Sequence, residues 1–70
     1  MKVKLKIKEL RIDKGLSQRQ LADMLGVTEG NYRRLENNQL KQISFETIGF
    51  LCEFFNCTTE EIFEFVSDNT

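Results

Sequence analysis

Asn31 and Arg33 stand two apart in a stretch, Thr28-Glu29-Gly30-Asn31-Tyr32-Arg33-Arg34, whose side chains can read a base pair. An Asn amide pairs bidentately with adenine, an Arg guanidinium pairs with guanine, and a Glu carboxylate accepts from the exocyclic amine of cytosine. Asn31 and Arg33 are the expected base readers, with Thr28 and Glu29 beside them. Glu29 cuts both ways: a carboxylate near phosphates weakens binding unless it finds cytosine or pairs with an Arg. Gln18, Arg19, Arg34, Asn38, Lys41 and Gln42 carry donors that suit phosphate oxygens. Any one of them is an ordinary solvated surface residue; the set carries the expectation.

Other chemistries lack their residues. The 70-residue chain has no His, the commonest general base and metal ligand. Its two cysteines, Cys52 and Cys57, cannot complete a four-ligand zinc site and read as small buried hydrophobes. There is no Gly-rich phosphate loop and no paired nucleophile and base. No enzyme activity, cofactor or metal is expected.

Charge is unevenly placed. Residues 1–34 hold nine Lys or Arg against four acids, and residues 35–70 hold one Lys against seven acids. The split points to an N-terminal half that faces an anion, or to two halves that attract each other. No apolar run approaches the roughly 18 residues that span a bilayer. Lysines alternate through Met1–Leu10, unlike a signal peptide. A soluble, cytoplasmic chain with no membrane partner is expected. A core this small supplies only about 3–5 kcal/mol, so dimerisation is a candidate source of further stability.

Helix starts and stops define the elements that must position these residues. Ser17 with Gln20 forms a capping box, and Thr58 with Glu61 a second. Leu16 and Leu21 flank the Ser17 cap at the spacing of a hydrophobic staple. The same spacing recurs as Val27 and Tyr32 around Thr28, Ile43 and Ile48 around Ser44, and Cys57 and Ile62 around Thr58. Gly15, Gly26 and Asn56 provide stops. Five helices follow, over about 6–14, 18–25, 29–36, 45–55 and 59–64. Leu21, Leu25, Val27, Tyr32 and Leu35 fall where two crossed helices meet, with Ala22 allowing close approach and Gly26 in the turn. This pattern describes a helix-turn-helix over 18–37 that offers the outer face of its second helix to a groove. In the helix over 45–55, Phe45, Ile48, Leu51, Cys52 and Phe55 supply the core face, while Phe50 and Phe54 share another. At the ends, Lys2–Lys8 alternates with period two and Glu64-Phe65-Val66 is β-prone. Either the ends pair as short antiparallel strands, with Lys2, Lys4 or Lys6 near Glu64, or the first helix starts early and the tail frays.

The ordered set Leu10-Arg11, Gly15-Leu16-Ser17-Gln18, Leu21-Ala22, Leu25-Gly26-Val27, Arg34-Leu35-Glu36-Asn37 and Ser44-Phe45-Glu46-Thr47-Ile48 resembles the helix-turn-helix domain of Cro and lambda-type phage repressors. The resemblance covers roughly Ile7–Phe63, and Lys41–Val66 is similar to small single-domain bacterial regulators of that family. It implies an all-α fold of five helices, duplex DNA as partner and, as often in the family, a homodimer on a two-fold operator; the length itself allows one domain, over 1–70. It implies that Gln18 meets a phosphate, and that Arg11 and Glu36 form a structural salt bridge between the first and third helices. Tyr32 stands where the family has an aliphatic residue, so its hydroxyl needs a partner or solvent. Phe50 and Phe54 stand at positions that are polar or small in the family, which marks them as a dimer interface or as packing against the terminal segments. The function so read is a sequence-specific transcriptional regulator, a repressor that places the helix over 29–36 in the major groove. The alternative is an interaction module, such as an antitoxin or co-regulator, whose acidic, Phe-containing C-terminal helices bind a protein partner.

Overall fold

Segments near the two ends of the chain pair with each other. The computed structural model describes residues 2–67, and within it β1 (Lys2–Leu5) runs antiparallel to β2 (Phe63–Val66). Lys2 stands opposite Val66, Val3 opposite Phe65, Lys4 opposite Glu64 and Leu5 opposite Phe63. The register puts unlike charges of the two halves side by side at Lys4 and Glu64, a favourable cross-strand pair.

Between the strands lie α1 (Lys8–Asp13), α2 (Gln18–Leu25), α3 (Glu29–Glu36), α4 (Phe45–Phe55) and α5 (Thr59–Ile62). Helices two, three and four have the bounds their caps predict. Ser17 and Gln20 make both bonds of a capping box, and the Thr28 and Ser44 hydroxyls each accept a backbone N–H at 3.1 Å. Gly26 and Asn56 close their helices at φ 74° and φ 52°, and Gly15 turns at φ 72°.

The terminal helices are shorter than their sequences suggest. Helix α1 starts only at Lys8, after the strand: Lys2–Leu5 pair with β2, and Lys6 N–H extends that ladder to the Ile62 carbonyl at 2.7 Å. Helix α5 stops at Ile62 because Phe63 enters β2. The capping box expected at Thr58 is absent: its hydroxyl makes no cap bond, and Glu61 N–H closes on the Thr58 carbonyl instead.

The core gathers Leu5, Ile7, Leu21, Ala22, Tyr32, Leu35, Leu51, Phe55 and Ile62, one or more residues from nearly every element. Of the other expected core residues, Leu25, Ile48 and Cys52 are half-buried at its edge, and two lie in solvent. Val27 is 41% exposed and Phe45 is 91% exposed. Helical side chains lean toward the helix N-terminus, and Phe45 opens α4, so it leans past the end of the core. Phe50 and Phe54 are half-buried against the core, with rings stacked at 5.7 Å, and Phe54 meets Phe55 edge-on at 5.1 Å. Cys52 and Cys57 are free and half-buried, and burial raises the Cys57 thiol above its ordinary value. Among the described residues no helix is long and apolar enough to cross a membrane.

Candidate nucleic-acid interface

Helices α2 and α3 cross through a turn whose shape is set by Gly26. At φ 74° this residue sits in the left-handed region, where a Cβ is strained even though nothing lies within 4 Å of one. The turn lets Leu21 and Ala22 bury against Tyr32 and Leu35. With those residues inward, Thr28, Gly30, Asn31, Arg33 and Arg34 are left on the exposed side of the second helix.

A buried ion pair fixes the back of α3. Arg11 Nε donates to Glu36 Oε1 at 2.7 Å, and both side chains are almost wholly enclosed. Arg11 also donates to the Leu16 carbonyl at 2.7 Å, tying α1 to the loop before α2. The hydroxyl of Tyr32 donates to Glu36 Oε1 at 2.9 Å, which is the partner that this buried aromatic requires. Burial alone drives the Glu36 carboxyl up, but the bonds from Arg11, Gln18 and Tyr32 outweigh it and hold the carboxyl below its ordinary value. The Glu36 bond in turn keeps the Arg11 guanidinium more firmly protonated. Burial, followed by the Glu36 contact, drives the Tyr32 phenol well above its ordinary range. Among the described residues no buried side-chain nitrogen or oxygen is left without a partner.

The exposed face is organised as well. Arg33 Nη2 donates to Glu29 Oε2 at 2.7 Å, one helical turn back. Pairing with Arg33 thus gives Glu29 one of the two partners that can justify a carboxylate here. Arg33 Nε donates to Gln18 Oε1 at 3.3 Å. Gln18 Nε2 donates to Glu36 Oε2 at 2.7 Å. Asn31 is exposed, and its backbone N–H caps on Thr28. Arg19, Arg34, Lys41 and Gln42 are exposed.

Two of the expected phosphate ligands have protein partners. Gln18 bridges α2 and α3 through its amide. Asn38, at φ 60°, accepts from Leu5 N–H at 2.7 Å and donates to the Leu5 carbonyl at 2.9 Å. Sequence reasoning missed both roles. The only signal for Asn38 is its residue type, since Asn tolerates the left-handed region after a helix better than most residues.

The comparisons agree with this geometry. A helix-turn-helix family model matches residues 7–62. A solved structure described as a candidate DNA-binding protein from Bacteroides fragilis superposes with a TM-score of 0.77 at 22% identity, over 90% of this chain and all of that one. None of the curated proteins matches the chain. With 56 of its residues matched by the family model and its five helices in that arrangement, the chain belongs to the helix-turn-helix family of the Cro and lambda-repressor type.

Proposed function

We propose that this protein is a sequence-specific regulator of transcription that binds double-stranded DNA by laying α3 in the major groove, working in the cytoplasm as one domain. The observation that carries this reading is the sidedness of α3. Tyr32, Leu35 and Glu36 lock its inner face, while Asn31 and Arg33 stand exposed on the outer one. Asn31 and Arg33 read base edges, with Thr28 and Glu29 at the helix start contributing. The backbone N–H groups of Gln18 and Arg19 at the start of α2, with the side chains of Arg19, Arg34, Lys41 and Gln42, contact phosphates. A protein seated there represses by occupancy, because the duplex under it is closed to other readers.

A two-fold operator calls for two copies of the chain. The half-exposed Phe50–Phe54 stack supports an interface on α4, since part of each ring remains open after packing on the core. Phe50→Ala is expected to shift the protein toward the monomer in sedimentation.

Selection of bound duplexes from a randomised pool at about 0.1 M salt, near physiological screening, tests the proposal. The expected result is an enriched two-fold motif with half-sites about one helical turn apart. An asymmetric half-site removes the dimer and keeps DNA binding. No enrichment by folded protein favours a second reading, a protein-interaction module. That reading has its own support: Val3 and Phe65, opposite each other on the sheet, are 58% and 73% exposed.

A further inference from the structure

We propose that Gln18 is a positioning residue that transmits the polarity of the buried Glu36 carboxylate to Arg33, presetting that guanidinium before DNA arrives; the inference rests on α3 being the reading helix. A carboxylate only accepts hydrogen bonds. Glu36 therefore requires Gln18 to turn its NH2 group inward, where Nε2 meets Oε2 at 2.7 Å. The amide oxygen is left facing outward. A guanidinium only donates, and Arg33 Nε meets that oxygen at 3.3 Å. Glu29 Oε2 takes Arg33 Nη2 from the other side at 2.7 Å. Two acceptors on different helices thus hold the guanidinium, and Nη1 keeps its donors for a ligand.

Glutamine is the residue type this position needs. Glutamate would set a second carboxylate against Glu36. Lysine would satisfy Glu36 but offer Arg33 no acceptor and a like charge. A long flexible side chain that is already ordered loses less freedom on binding. It also arrives at one base step instead of sampling several.

The test compares the parent with Gln18→Lys, which keeps a donor on Glu36, and Gln18→Met, which keeps only the shape. Arg33 Nε–H order is read by 15N relaxation without DNA, and base discrimination by binding to the selected duplex and its single-base variants. The expected result in both variants is a mobile Arg33 Nε–H, with a roughly two- to ten-fold loss of discrimination at one base pair. An Arg33 Nε–H as ordered in folded Gln18→Lys as in the parent overturns the proposal. A mobile Nε–H with discrimination unchanged at every position supports the relay and instead removes Arg33 as a base reader.

Discussion

The Asn38 side-chain amide closes on both backbone groups of Leu5, its oxygen at 2.7 Å from the N–H and its nitrogen at 2.9 Å from the carbonyl. It does for the outer edge of β1 what a third strand would do, and so ties the end of α3 to the terminal sheet. Two such bonds together contribute about 1–3 kcal/mol. Asn38→Gly is expected to lose that amount in urea unfolding. Asn38→Ala loses about 1 kcal/mol more, because the backbone there has φ 60° and only glycine or asparagine accepts it readily. Where both variants are folded, their affinity for duplex DNA stays that of the parent. A uniform drop across sequences would instead return Asn38 to the phosphate contacts.

Around Glu36 the expected costs are graded. Arg11→Ala leaves a buried carboxylate without its counter-charge and costs about 3–5 kcal/mol. Tyr32→Phe keeps the ring in the core and removes only the hydroxyl bond to the Glu36 carboxylate, at a cost of about 1.5–3 kcal/mol. Denaturant unfolding of the two variants separates them. Equal losses would mean that the ion pair contributes no more than the hydroxyl.

Much of this architecture is legible from local chemistry. Ser17, Thr28 and Ser44 start their helices with side-chain caps, and Gly26 and Asn56 end theirs, because caps and left-handed stops depend on a few neighbouring residues. The terminal segments are not decided locally. Lys2–Lys8 suits a strand or an early helix, and only the arrival of Phe63–Val66 from the other end settles it. The same limit applies to Phe45: its type says core, and its place at the first turn of α4 leaves it in solvent. At the proposed interface, residue types single out Asn31 and Arg33 as candidate base readers. The bonds that Gln18 and Asn38 make span 15 to 33 positions and have no local signature.

Stability should fall in acid through Glu36. Its carboxyl titrates below the ordinary value of 4.5 in the folded chain, so the folded state favours the charged form. That contribution is complete above the unfolded value and declines as pH drops from about 4.5 through the lower folded value. Glu36→Gln is expected to flatten this part of the stability profile while lowering stability at neutral pH. A profile in which the parent and Glu36→Gln fall in parallel below pH about 4.5 would falsify the assignment.

The alkaline side has a cleaner probe, because Tyr32 is the one tyrosine in the sequence. Its phenol is raised from the ordinary 10.0, so the folded state favours the neutral form. The stability so contributed is fully present below pH 10.0 and is lost as pH rises beyond it. Absorbance of the phenolate should therefore stay flat through the usual tyrosine range and appear only as the chain unfolds. An ordinary titration curve with the fold intact would place the hydroxyl in solvent, away from Glu36.

Lys41 and Arg33 should part company on DNA. A phosphate contact carries no sequence information, so Lys41→Ala is expected to weaken all duplexes about equally and to lower the slope of log affinity against log salt by about 1. A base contact does, so Arg33→Ala should cost about 1–3 kcal/mol on the selected duplex and relax the preference at a single base pair. Removing Arg33 also frees the Glu29 carboxylate, which its guanidinium holds at 2.7 Å. The uncompensated charge then repels phosphates on every sequence. Arg33→Ala alone therefore mixes a specific loss with a general one, and Glu29→Gln in the Arg33→Ala background should restore the general part only. The loss at the single base pair persists in the double variant if Arg33 reads it. Full recovery of both would show that Arg33 acts by neutralising Glu29 and does not read the groove.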